Sequence, residues 1–238
     1  MNIYFLVEGR STEKKIYPKW LEYLVPELVR VKYYDQVQAN NYYLISGEGY
    51  PKILSDGLKN AVDKILEIPK YDYLVICVDA DEESVEERTH YINKYIYEFM
   101  QENKINLGKT KIEIIVQNRC IETWLLGNRK IFDSRQPTEQ PLSNYVNYYD
   151  VSRSDPEEMG KYDMRNHADF HYEYLREVFR SKNTTYSKKS PNDAKEKYYF
   201  EELQKRVQDK YEDLKTFQVF LEFCEKVRNS MTQRANEQ

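Results

Sequence analysis

The sequence predicts an α/β fold with a mostly parallel sheet, flanked by helices and followed by a C-terminal helical extension. Short apolar runs alternate with helical patterns over the first half of the chain, which is typical of β–α–β units. The runs are continuously apolar, as in parallel strands that are buried on both faces. Beyond about residue 165 only helical patterns occur, which predicts the helical extension.

Four apolar runs predict the strands of this sheet. Each is rich in β-branched and aromatic residues or in leucine, the residues that favour a buried strand. The predicted strands are 3–7, 42–45, 73–78 and 112–116. The second run leads into "SGEGYP", which predicts a glycine-containing turn with Pro51 in the first turn of a helix.

Apolar residues at helical spacing predict the helices. The first begins with Ser11 or Thr12 as its N-cap and Glu13 in its first turn, and Pro18 is expected to kink or restart it. The last ten residues are polar, and we expect them to fray. The remaining predicted helices are 53–66, 83–102, the segment "CIETWLLGN", 168–179, 194–207 and 214–227.

These elements predict three regions. Residues 1–130 form the α/β domain, which is the predicted catalytic domain. Residues 131–165 are rich in Pro, Ser, Asn and Asp without a clear period, which predicts a loop or connection. Residues 166–238 form a helical region that packs on the first domain or caps it.

Composition excludes several classes of protein. No apolar stretch approaches the roughly 20 residues of a membrane span, and Glu8 interrupts the first run too early for a secretory signal. Three scattered cysteines without CxxC spacing predict reduced thiols in a cytoplasmic protein and argue against cysteine-bound zinc. The net charge of -4 excludes a wholly basic nucleic-acid-binding protein. Residues 180–197 nevertheless carry six cations against two acids, an excess of four, which indicates a solvated loop or a phosphate-facing one.

Acidic residues follow two of the predicted strands. Glu8 ends the first, and Asp79 and Asp81 end the third, with Glu83 close behind. Because parallel strands end at the same edge of a sheet, we expect these carboxylates to converge there. Carboxylates that repel one another require a cation, and oxygen ligands suit Mg²⁺ or Mn²⁺. The sequence therefore predicts a metal site, although each acid taken alone is also explained as a helix cap or a surface residue.

These motifs resemble the TOPRIM domain, a Rossmann-like domain of topoisomerases, bacterial primases and overcoming-lysogenization-defect (OLD) nucleases. The resemblance rests on "FLVEG" before a helix, a glycine turn after the next strand, and "VICVDAD", and it covers about residues 2–128. The variant "EGRSTE" is most similar to stand-alone bacterial TOPRIM proteins, such as the RloB-like and AriB-like effectors of phage defence. "IETWLLGN" and "YSKKSP" also resemble segments of those proteins.

The resemblance implies roles for matching residues. Glu8 would act as a general acid or base and bind metal, and Asp79 and Asp81 would be metal ligands. Gly9 would let the chain turn beside the site and its substrate phosphate. Glu122 matches a further acid, and it is equally explained as an acid that favours a helix N-terminus. Glu13 is a weaker candidate, because a first-turn acid stabilises its helix.

Basic residues and histidines add further candidates. Lys189, with Lys188 beside it, is a candidate for stabilising charge at a scissile phosphate, or else belongs to a mobile basic loop. Arg119, just after the fourth strand, is a candidate phosphate ligand. His167 and His171 share one helix face, but without a third ligand they predict a surface or core-edge pair.

The functional prediction is a metal-dependent nuclease that hydrolyses DNA or RNA, including tRNA, as an anti-phage defence effector with Mg²⁺ or Mn²⁺. The chain has no GxxxxGK[ST] motif, so any ATPase would be a separately encoded partner. No membrane partner is expected, and a homodimer stays open. The alternatives are a catalytically inactive TOPRIM-like subunit that binds or regulates a partner ATPase complex, and a phosphatase with Asp79 as nucleophile. The companion motifs of such phosphatases are not evident.

Overall fold

The computed structural model describes residues 1–131 and 139–236, and it confirms an α/β fold. Five parallel strands form one sheet with helices flanking it. The four strands predicted from apolar runs are all present. The fifth is a two-residue edge strand whose residues are both exposed, so no apolar run in the sequence predicts it. The strands are Asn2–Val7 (β1), Val29–Arg30 (β2), Asn41–Ser46 (β3), Tyr73–Asp79 (β4) and Lys111–Gln117 (β5).

The strand β1 lies between two parallel neighbours. The order of the sheet is β2-β3-β1-β4-β5. In the register, Val7 is opposite Ser46 of β3 and Cys77 of β4. All six residues of β1 are buried, so this strand is covered on both faces as well as paired on both sides.

Eight α-helices lie within the described residues. α1 runs through Pro18 as one continuous helix rather than restarting there, and Thr12 occupies its N-cap position. Among the described helices, none has the combination of length and apolar character that crossing a membrane demands. The helices are Glu13–Leu24 (α1), Leu58–Glu67 (α2), Val85–Glu102 (α3), Ile121–Leu125 (α4), Leu142–Tyr148 (α5), His167–Ser181 (α6), Lys197–Asp209 (α7) and Lys215–Asn236 (α8).

Two predictions about irregular segments were wrong. The segment 131–165, predicted as a loop, contains α5, whose buried residues Leu142, Tyr145 and Val146 have helical spacing. The part 132–138 of that prediction lies outside the described residues. The C-terminal tail, expected to fray, continues α8 to Asn236, because Met231 extends the buried stripe of the helix by one turn beyond Val227.

The chain forms two compact units. The first comprises Met1–Val78, Val85–Val116 and the described residues from Val219 onward. The second comprises Asp79–Ser84 and the described part of Gln117–Gln218. As a division of the chain into domains, the predicted regions 1–130, 131–165 and 166–238 stay predictions.

The first unit has an aromatic core between its sheet and α8. The ring of Phe223 packs edge-on against Phe5 of β1, with centroids 6.3 Å apart, and against Tyr73 of β4, at 5.5 Å. Phe220 stacks on Tyr17 of α1 at 5.2 Å. The same stretch of α8 therefore covers the central strands and α1.

The second unit is organised around a buried arginine. The side chain of Arg206 is fully buried, and its guanidinium forms an ion pair with Asp213 at 2.8 Å. It also donates hydrogen bonds to the carbonyl oxygens of Val151, at 2.7 Å, and Ser154, at 2.6 Å. A buried charge is tolerated only when it is paired and hydrogen-bonded in this way. Arg206 thus ties α7 to the segment after α5.

We expect Arg206→Leu to destabilise the protein by about 3–5 kcal/mol, because it leaves Asp213 and several carbonyl groups buried without their partner. Chemical denaturation followed by circular dichroism measures this loss. The matched control is Lys205→Leu, at the exposed neighbouring position of the same helix. Equal denaturation midpoints for the two variants would contradict the role assigned to Arg206.

Candidate functional site

Glu8 follows β1 in the first unit and is held by the turn after β3. Its N–H still donates to the carbonyl of Cys77 in β4, at 2.9 Å, one residue beyond the last strand pair. Its Oε1 accepts a hydrogen bond from the N–H of Tyr50 at 3.2 Å, and its carbonyl accepts one from Gly49 at 3.0 Å. The glycine turn "SGEGYP" therefore fixes both the backbone and the carboxylate of Glu8.

Gly9 allows a second carboxylate to approach the backbone. A Cβ atom at this position would overlap the carboxylate of Glu13 in the first turn of α1. Glu13 is only 4% exposed, whereas a first-turn acid that merely stabilises its helix is expected at the surface. The first unit thus places Glu13 against Gly9, next to Glu8 in the chain.

In the second unit, Asp79 ends β4, and the following turn is held by Arg119. The N–H of Asp81 donates to the carbonyl of Arg119 at 3.0 Å. In return, Nη1 of Arg119 donates to the carbonyls of Asp81, at 3.1 Å, and Glu83, at 2.9 Å. The contacts of this predicted phosphate ligand therefore hold the turn that carries the acids. Glu83 itself is exposed.

Glu82, between the predicted ligands, attaches the same turn to α6. Its Oε1 accepts a hydrogen bond from the N–H of His167 at 2.7 Å and lies 2.8 Å from Nδ1 of that ring. Lys161 lies 3.8 Å from its Oε2. Although partial burial opposes the effect, the hydrogen bonds from His167 lower the pKa of Glu82. The turn with Asp81 is consequently fixed from two sides within the second unit.

His171, the second histidine of the predicted pair, lies in the core of the second unit. Its Nδ1 is hydrogen-bonded to Oγ1 of Thr123 at 2.8 Å, and its Nε2 lies 3.3 Å from the carbonyl of Met159. Burial lowers the pKa of His171 to about 3, with a smaller contribution from His167. His171 is therefore neutral at pH 7 and connects α6 to α4.

Glu122 is a buried carboxylate in the first turn of α4. It is 1% exposed, and its Oε1 accepts a hydrogen bond from the hydroxyl of Tyr186 at 2.8 Å. Its Oε2 is buried and has no hydrogen-bond donor among the described residues. A buried carboxylate with one oxygen lacking a donor is costly, so this atom fits a cation better than an apolar surrounding.

Two acids and a lysine act electrostatically on the buried thiol of Cys120. Burial raises the pKa of Cys120 well above its usual range; the carboxylates of Glu122 and Asp79 raise it further, and Lys188 opposes them. Glu122, Asp79 and Lys188 thus all contribute to the electrostatic environment of this buried thiol.

Lys188 and Lys189 lie on a tight turn. The N–H of Ser187 donates to the carbonyl of Ser190 at 3.1 Å, and the reverse bond measures 2.9 Å. Tyr186, just before the turn, is the residue that holds Glu122. Both lysines are exposed, and the turn is anchored beside the acid rather than being a loose loop.

The donor set suits a hard divalent cation. Among residues 1–131 and 139–236, no group of three or more His, Cys, Asp and Glu side chains is arranged to hold a metal ion. Mg²⁺ needs fewer protein ligands, since it takes one or two carboxylates and keeps several waters. Asp79 and Glu122 supply oxygen donors of that kind, and Oε2 of Glu122 has no competing hydrogen bond within the described chain. The residues of the second unit therefore fit such an ion.

A buried network that the sequence analysis missed supports the segment before Arg119. The carboxylate of Glu157 accepts hydrogen bonds from the N–H of Thr216, at 3.1 Å, and from its hydroxyl, at 2.6 Å. The same hydroxyl accepts hydrogen bonds from Nε1 of Trp124, at 2.7 Å, and from the N–H of Asn118, at 3.1 Å. Burial raises the pKa of Glu157 to about 7 despite these bonds.

No family model matches this chain, and neither a curated protein nor a solved structure matches it. The TOPRIM resemblance and the residue roles that it implies therefore stay predictions.

We expect Arg119→Ala to loosen the turn at Asp79–Ser84, because it removes two hydrogen bonds to the carbonyls of that turn. Hydrogen–deuterium exchange of peptides that cover this turn should become faster. Lys189→Ala, which removes an exposed cation from a different turn, is the control and should leave this exchange unchanged. An unaltered exchange rate in Arg119→Ala would show that the turn does not depend on the guanidinium.

Glu157 should make the stability depend on pH. Its folded pKa, about 7, lies above the ordinary value of 4.5, so the protonated form stabilises the folded protein and this stabilisation is lost as the pH rises from about 4.5 to 7. Over this range we expect wild type to lose up to about 3 kcal/mol of unfolding free energy that Glu157→Gln retains. Denaturation at several pH values measures the difference. Glu158→Gln, at the exposed next position, should behave as wild type, and parallel curves for all three proteins would refute the assignment.

Proposed function

We propose that this chain is a metal-dependent phosphodiesterase of the TOPRIM type that hydrolyses DNA or RNA, including tRNA, with Mg²⁺ or Mn²⁺. The observation that carries the proposal is the buried carboxylate of Glu122, whose Oε1 is held by Tyr186 and whose Oε2 has no hydrogen-bond donor among the described residues. The strand ends add support, because Glu8 follows β1 and Asp79 ends β4, its parallel neighbour.

Each residue has a defined part in this chemistry. Asp79 would hold the metal ion, with Asp81, Glu83 or Glu8 as a second carboxylate, and the ion would supply stabilisation of the charge on the phosphate and a lower pKa for a bound water. Glu8 would accept a proton from the attacking water while the P–O bond to the leaving oxygen breaks, and the leaving oxygen would take its proton from solvent.

The remaining site residues bind the phosphate or support an acid. Lys188 and Lys189 stabilise the charge that develops on the phosphate oxygens. Gly9 leaves room beside Glu8, and Glu122 is a further acid or ligand. The contacts of Arg119 support a role in holding the turn at Asp81 rather than a role in binding phosphate.

The proposed cellular setting rests on the resemblance alone. "FLVEG" and "VICVDAD" resemble the TOPRIM domain, and the variant "EGRSTE" is most similar to stand-alone TOPRIM effectors of phage defence, so the proposed setting is cytoplasmic phage defence. A separately encoded ATPase and a homodimeric state belong to the same proposal.

A second candidate function is a catalytically inactive TOPRIM-like subunit that binds or regulates a partner ATPase complex. One observation favours it: within the described part of the chain, no three potential ligands are gathered in a ready-made metal site. Titration calorimetry with Mn²⁺ separates the two candidates. If the chain is a nuclease, the wild type should bind Mn²⁺ and Asp79→Asn should bind it more weakly. The absence of any heat of Mn²⁺ binding to the wild type would favour the inactive subunit.

Nuclease activity is tested by nicking of plasmid DNA and by cleavage of tRNA in Mn²⁺. We expect Glu8→Gln and Asp79→Asn each to lower the rate at least about 100-fold, because each removes a carboxylate from the reaction. Glu86→Gln, an exposed acid in the first turn of α3, is the control and should retain wild-type rates. If both variants cleave nucleic acid as fast as the wild type, the proposed site is disproved.

A further inference from the structure

The segment from Tyr172 to Lys189 in the second unit carries a marked excess of positive charge. From Tyr172 to Lys189 the sequence has five cations and two acids, an excess of three. This surplus stands out in a chain whose net charge is -4. The cations are Arg176, Arg180, Lys182, Lys188 and Lys189, and the acids are Glu173 and Glu177.

The cations of α6 lie along one side of the helix. Tyr172, Arg176 and Arg180 are four residues apart in turn, which is the spacing of residues on one helix face. Arg176 pairs with Glu173 at 2.9 Å, and Arg180 pairs with Glu177 at 3.4 Å. The arginine side chains are 44% and 71% exposed, so both guanidinium groups can also contact an anion in solvent.

Tyr172 joins this helix face to the turn that carries Lys188. The guanidinium of Arg176 lies 5.7 Å from the centroid of its ring, and Nζ of Lys188 lies 5.6 Å from the same centroid. The ring is 6.1 Å from that of Tyr186, which holds Glu122. An arginine–aromatic cluster therefore leads from the surface of α6 to the buried acid.

We propose that Tyr172, Arg176, Arg180, Lys188 and Lys189, here called the α6 face, bind a single-stranded nucleic acid and lead it to Glu122. The cations neutralise backbone phosphates, and a base stacks on the layer formed by the Arg176 guanidinium and the Tyr172 ring. A single strand fits better than a duplex, because only unpaired bases present their faces for stacking. The inference gives the proposed nuclease a substrate class. It rests on the proposed function for the cleavage of the strand but not for the binding of the strand.

The test measures binding without metal. A fluorescent single strand of about 12 nucleotides is titrated with the protein in EDTA, at several salt concentrations, and anisotropy gives the dissociation constant. We expect Arg176→Gln and Lys188→Gln each to reduce the slope of log affinity against log salt by about 0.7, the contribution of one phosphate contact. Lys205→Gln removes an exposed cation of α7 and should leave the slope unchanged.

Stacking is tested at the aromatic ring. Tyr172→Ala should weaken binding about tenfold, the scale of one stacked base, whereas Tyr172→Phe retains the ring and should bind as wild type. Tyr211→Ala, at a tyrosine 73% exposed elsewhere in the unit, is the matched control. Thermal melting of each variant shows whether it is folded.

The outcomes separate this inference from the proposed function. Binding that depends on the α6 face supports the inference even if no variant or wild type cleaves nucleic acid, in which case only the nuclease proposal fails. Absence of binding by wild type, an unchanged salt slope in both cation variants, or tighter binding of a duplex of the same sequence would each overturn it.

Discussion

The burial of β1 is the constraint on which the first unit depends. This strand is hydrogen-bonded to β3 on one side and to β4 on the other, and each of its residues is buried. A charged side chain within it would be buried without compensation. The first position that can carry one is Glu8, whose N–H still continues the ladder to Cys77. The backbone of Glu8 is therefore hydrogen-bonded as part of the sheet, although Glu8 lies just beyond the buried residues of β1.

The same constraint explains which elements the sequence predicts. A strand covered on both faces must be apolar throughout, which explains the continuous apolar runs of β1 and β4. β3 and β5 are only partly buried, and shorter apolar runs within them predict these strands. β2 is only two residues long, lies at the edge and is exposed, so its sequence carries no comparable signal. α5 is seven residues long, and its three buried positions are too few to distinguish a helix from a loop by spacing.

The site is predictable from the sequence only where position along a strand decides it. Glu8 and Asp79 are recognisable because each acid follows an apolar run, whereas their supporting contacts connect distant parts of the chain. Tyr186 is 64 residues from Glu122, and Thr216 is 59 residues from Glu157. The periodicity of a helix or strand carries no information about contacts between such distant residues. For this reason the sequence indicated Glu122 but not Tyr186, which holds it.

The backbone on both sides of the turn at Asp81 is strained, and this observation is independent of any sequence motif. Asp81 and Arg119 have φ angles of +52° and +64°, in the left-handed region that favours glycine. A residue with a Cβ atom costs about 1–2 kcal/mol there, and arginine lacks the short polar side chain that lets aspartate tolerate it. Glycine would relieve this cost, but at Arg119 it would remove the guanidinium that holds the carbonyls of Asp81 and Glu83. Strained positions of this kind persist where the surrounding bonds over-determine them, and they cluster at functional sites. The two loops thus hold each other in a conformation that neither would favour alone, and the structural result of that strain is a fixed position for the acids that follow β4.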